Sequence, residues 1–73
     1  MLSPQDEKFL KNFGRRVRQL GQEEGWTLEE CEEHGWLFWR HLQQIETGKK
    51  NINITTLRTL SELFNTEMGD LFI

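Results

Sequence analysis

The sequence predicts an all-α fold, a compact bundle of about five short helices in one domain spanning residues 1–73. Three observations predict it. Apolar residues recur at helical spacing, start and stop residues divide the chain at regular points, and no segment alternates as a half-buried strand would. A chain of this length buries a modest core.

The elements follow in order. Ser3-Pro4-Gln5-Asp6 reads as an N-cap, a proline at the first helical position and an acid near the positive end of the helix dipole. Phe9, Leu10, Phe13, Val17 and Leu20 then recur at helical spacing, and Gly25 is the stop, so the first helix runs from about Pro4 to Glu24. Gly14 and Gly21 lie inside it, each at a cost of up to about 1 kcal/mol relative to alanine. Close helix packing accounts for Gly14. Thr27 with Glu30 three residues later forms a capping box for a second helix, Leu28 to about His34, which Gly35 ends. The third helix covers Phe38 to Thr47 and stops at Gly48. Residues Lys49 to Ile52 form a loop. Asn53 caps the fourth helix, whose expected core face is Ile54, Leu57, Leu60 and Phe64. Asn65 stands where a left-handed residue is wanted, and a last short helix carries Met68, Leu71 and Phe72.

Composition narrows the function classes. The formal net charge is -3, whereas nucleic-acid binders usually carry a basic excess. The charges are segregated. Lys8, Lys11, Arg15, Arg16 and Arg18 crowd the first helix, Arg40, Lys49, Lys50 and Arg58 follow, and the acids concentrate between Glu23 and Glu33. Cys31 is the single cysteine, so no internal disulfide can form. That points to a reducing cytoplasm, with Cys31 as a buried thiol. No apolar run approaches a membrane span, no signal-peptide pattern opens the chain, and the initial Met reads as a native start. No nucleophile, base and orienting group stand in a catalytic arrangement. His34 and His41 lack a set of metal-ligand neighbours, and no glycine-rich phosphate loop appears. A non-enzymatic protein without metal or cofactor is the expectation.

Three stretches share one register: Phe13-Gly14-Arg15-Arg16-Val17-Arg18-Gln19-Leu20 with Gly25-Trp26-Thr27, then Gln44-Ile45-Glu46-Thr47-Gly48-Lys49-Lys50-Asn51, then Ile54-Thr55-Thr56-Leu57 leading to Asp70-Leu71-Phe72. Together they resemble the Cro/phage-repressor-type (XRE) helix-turn-helix family across roughly residues 9 to 72, a lambda-repressor-like DNA-binding domain. The resemblance implies that helices 2 and 3 form the helix-turn-helix and that helix 3 enters the major groove. Trp39, Arg40, Gln43 and Gln44 match the family's base readers. Arg40 can donate bidentately to guanine and Gln44 can pair with adenine. Lys49, Lys50 and the loop around Asn51 and Asn53 would contact phosphate, as would the start of helix 2. A homodimer on a palindromic duplex is implied, joined through a rim of Met68, Leu71, Phe72 and Ile73. The implied function is a sequence-specific transcriptional regulator, often a repressor.

The departures from the family pattern cluster in the helix-turn-helix. Leu28 replaces the favoured Gln, Glu32 a small residue, Trp36 a turn Gly and Phe38 a Ser or Thr cap. Gly21 stands where an Arg often pairs with the residue at Glu46. Phe38 cannot accept the free N–H groups of helix 3. Trp36, Phe38 and Trp39 form an aromatic cluster with three open readings: a protein-binding surface, core or turn packing, or contact with DNA. The first defines an alternative function, a helix-turn-helix repurposed to bind a protein partner.

Overall fold

A computed structural model describes residues 2–36 and 38–72. Four α-helices, α1 (Pro4–Glu24), α2 (Leu28–Glu33), α3 (Trp39–Glu46) and α4 (Ile54–Leu63), precede a C-terminal 3-10 helix (Met68–Phe72). Local chemistry sets most boundaries. Ser3 and Asp6 exchange side-chain and backbone hydrogen bonds to start α1, and Thr27 and Glu30 do the same for α2. At α4 the Asn53 side-chain oxygen accepts from the Thr56 amide at 2.9 Å.

All four α-helices end in the same way. A residue of positive φ (Gly25, Gly35, Gly48 or Asn65) follows the last turn. The next amide then reaches back five residues: Trp26 to Gly21, Trp36 to Cys31, Lys49 to Gln44 and Thr66 to Ser61. This is the Schellman geometry, which satisfies carbonyls a helix end leaves unpaired. The motif also brings an apolar residue after the left-handed one over the end of its own helix. That explains Trp36. It lies 5 % exposed in the core with Cys31, so the reading of Trp36 as part of an exposed partner surface is corrected. Its indole Nε1 has no hydrogen-bond partner among the described residues.

The core is built from Phe13, Val17 and Leu20 of α1, Cys31 and Trp36, Leu42 and Ile45 of α3, and Leu60, Phe64 and Leu71. On α4 the expected apolar face is confirmed at Leu57, Leu60 and Phe64 but not at Ile54, which is 69 % exposed. Ile54 occupies the first helical position and lines a surface groove with Phe9 and Phe72.

Two glycines fix α3 against α1. A Cβ on Gly14 would run into the main-chain carbonyls of Ile45 and Glu46, so α1 crosses the last turn of α3 at backbone contact. Gly48 has φ +76°, and a Cβ there would strike the backbone of Lys11. α3 is thereby clamped from behind and its far side is left uncovered.

Candidate nucleic-acid interface

The residues of α3 and its C-cap Thr47 present an inner and an outer face, with Trp39, His41 and Glu46 half-buried. Leu42 and Ile45 point inward and are fully buried. Arg40, Gln43, Gln44 and Thr47 are exposed, at spacings of three and four that place them together opposite the core. This outer face carries one cation, two amides and a hydroxyl, with no acid. Thr47, at the helix end, was not among the sequence-derived candidates, although its spacing of seven from Arg40 puts it on the same face. Its hydroxyl donates to the Gln43 carbonyl at 3.0 Å. Trp39 lies at the flank and is half-buried. The Arg40 guanidinium sits 5.4 Å from the centre of the Trp39 ring, within cation–π range. Lys49, Lys50 and Asn51 are exposed in the loop that follows.

The start of α3 lacks a side-chain cap from Phe38, as its chemistry requires. A residue from the preceding helix replaces it. The Glu32 carboxylate accepts from the Trp39 amide at 2.8 Å. A carboxylate there also meets the positive end of the helix dipole. Two departures from the family pattern thus answer each other: Glu32 occupies the helix 2 position and supplies the cap that Phe38 cannot. Of the four glutamates of α2, Glu32 caps α3, Glu30 caps its own helix, and Glu29 and Glu33 are exposed. Hydrogen bonds from the Thr27 backbone and hydroxyl hold the Glu30 carboxyl below its ordinary value.

Glu46 is half-buried on the side of α3 facing α1. Burial pushes its carboxyl up, and Arg18 on α1 partly opposes this. A cleft of about 370 Å³ between α1, α2 and α3 is lined by Gly21, Arg18, Trp26, Gln43 and Glu46. Burial, then nearby Lys50, pushes the His41 imidazole down, and its ring stacks on Trp36 at 5.6 Å. Burial pushes the Cys31 thiol up to about 11, so it is protonated and inert at neutral pH.

The crystal structure of the DNA-binding domain of BldD superposes on this chain with a TM-score of 0.84. The match covers 92% of this chain and 97% of that one, at 19% sequence identity. The fold is that of a helix-turn-helix domain. No family model and no curated protein matches the sequence.

The aromatic tip is smaller than the sequence implied. Trp36 is core, Trp39 is half-buried, and Phe38 stands out at 68 % exposure. The C-terminal rim also changes. Leu71 is fully buried beneath the 3-10 helix, because its side chain completes the core between α1 and α4, and so it cannot form part of an exposed rim. Met68 is half-buried, Phe72 is exposed, and Ile73 lies outside the described residues. Phe72 stacks on Phe9 at 5.9 Å and leans on Phe13 at 5.3 Å. Phe9, Ile54 and Phe72 therefore form one exposed apolar face, of which sequence reasoning identified Phe72.

Proposed function

We propose that this chain is a sequence-specific DNA-binding transcriptional regulator of the Cro/phage-repressor type, reading duplex DNA through α3 as a homodimer. One observation carries the reading: α3 is an outward-facing rod, clamped from behind, with Arg40, Gln43 and Gln44 on its uncovered side. These side chains have the donors and acceptors that read base edges in the major groove. The likeness to the DNA-binding domain of BldD supports the same reading. Lys49, Lys50 and Asn51 follow directly and would hold phosphates, fixing the register without reading sequence. Trp39 steers Arg40 through the cation–π contact.

The homodimer reading rests on the apolar face of Phe72, Phe9 and Ile54, since exposed apolar patches mark interaction surfaces. Protein binding through the aromatic tip has lost Trp36 to the core. It retains Phe38 and part of Trp39, too little to displace the DNA reading.

The test is binding to mixed-sequence duplexes and to duplexes recovered by selection, across a range of salt. A negative slope of log affinity against log salt, with tighter binding to the selected duplexes, is the expected outcome. Binding that ignores both salt and sequence would refute it.

A further inference from the structure

Residues 8–22 of α1 contain five basic side chains and no acid, although the whole chain carries a net charge of -3. The acids of α1 are confined to its two ends, at Asp6 and Glu7 and at Glu23 and Glu24. Of the five basic residues, Arg16 is used internally. Its Nε donates to the Asp70 carbonyl at 2.9 Å and ties α1 to the 3-10 helix. Lys8, Lys11, Arg15 and Arg18 are all exposed. Their spacings of three, four and three put them on one helical face, beside the buried face of Leu10, Gly14 and Val17.

The position of this stripe is set by the two glycine contacts. Lys11 lies against Gly48, the residue immediately before Lys49. Gly14 abuts the last turn of α3, and Arg18 acts electrostatically on Glu46 of that turn. The stripe therefore meets the end of α3 and continues into Lys49 and Lys50. From Lys8 to Arg18 it spans about 15 Å of helix, the rise of about four phosphates along one strand.

We infer that Lys8, Lys11, Arg15 and Arg18 form a phosphate-binding track that extends the footprint along duplex backbone flanking the bases read by α3. It rests on the DNA-binding proposal above. Continuity with Lys49 and charge complementarity select the phosphate backbone as its occupant. The track also explains how a chain of net negative charge meets a polyanion: four cations gather on one side, while two of the α2 carboxylates are engaged as helix caps.

The test uses the full chain and a mixed-sequence duplex of about three helical turns. The slope of log affinity against log salt is compared between the wild type and the quadruple variant Lys8→Gln, Lys11→Gln, Arg15→Gln, Arg18→Gln. Each neutralised phosphate contributes about 0.9 to that slope, so losing four contacts should flatten it by about 3 to 4. Lys8→Arg with Lys11→Arg should keep the wild-type slope, and so should Arg58→Gln, which removes an exposed cation from α4. Should the quadruple variant fail to fold, as read by circular dichroism, the four single variants carry the test at about 0.9 each. A flattening no larger than that of Arg58→Gln overturns the track while leaving the DNA-binding proposal standing. A wild type that binds no duplex overturns both.

Discussion

The Glu32 carboxylate lies 2.8 Å from the Trp39 amide, seven residues ahead in the chain, and it caps a helix whose own N-cap residue is a phenylalanine. Removing that acceptor leaves an unsatisfied donor at the start of α3. Glu32→Ala should therefore cost about 1–2 kcal/mol in urea denaturation, and Glu32→Gln, which keeps an acceptor oxygen, should recover part of the loss. An unchanged midpoint for the alanine variant would refute the cap. Two glycines of α1 make a sharper pair. At Gly14 an added Cβ meets main-chain carbonyls that no rotamer change can move, so Gly14→Ala should destabilise by about 1–3 kcal/mol or more. At Gly21 the nearest heavy atom is a Phe64 ring carbon at 4.0 Å, so Gly21→Ala should stabilise by up to about 1 kcal/mol. The same substitution, on the same helix, thus has opposite signs in thermal unfolding. Some residues were legible from sequence by chemistry alone. Asn65 takes φ 49° at the position where a left-handed residue was wanted. Which of three neighbouring aromatics is buried was not legible from composition. The turn at Gly35 decides it by folding Trp36 back over Cys31.

At the scale of elements, helix ends were more legible than helix faces. The three starts capped from within, at Ser3, Thr27 and Asn53, and the four left-handed stops are local chemistry, and local chemistry is written in adjacent residues. The start of α3 at Phe38 was legible, but its cap was not, because the capping carboxylate comes from another helix. Periodicity placed Ile54 on the core face of α4, but periodicity reports direction and not reach, and the first turn stands over a surface groove. Titration should separate the elements. Glu30 has a folded value below its unfolded one, so its contribution to α2 is present above the unfolded value and is lost as pH falls through the folded value. Hydrogen-exchange protection of α2 should decline over that acid range, and Glu30→Gln should blunt the dependence. Glu46 has the opposite sign. Its folded value is raised, so its contribution is present in acid and is lost as pH rises through that value. Glu46→Gln should raise the melting temperature near neutral pH, and the advantage should vanish in acid. A gain that persists in acid would contradict the assigned burial.

At the scale of the whole molecule, α3 has eight residues and is about 12 Å long, which in the proposed docking would face about four base pairs. So short a sequence recurs by chance in any genome, so the proposed specificity would require a second copy on a second half-site, about 34–36 Å away. One domain, with extents of 34 × 23 × 21 Å, can present only one α3 to one half-site. Phe72→Ser should therefore weaken self-association in sedimentation and reduce affinity for a two-half-site duplex far more than for a single half-site. Equal losses on both duplexes would place the dimer contact elsewhere. The fold was legible at this scale because spacing and punctuation agreed along the chain. The exposed face of α3 was legible by the same spacing. The apolar face was legible only at Phe72, because Phe9 and Ile54 are brought beside it by packing between elements distant in sequence.

The proposed function depends on α3 as a reader of base edges. The most direct measurement compares wild type and Arg40→Ala on a selected duplex and on mixed-sequence DNA at one salt concentration. A loss of about 1–3 kcal/mol on the selected duplex, with little change on mixed-sequence DNA, is predicted. Equal losses on both, or no loss on either, would contradict base reading by this helix.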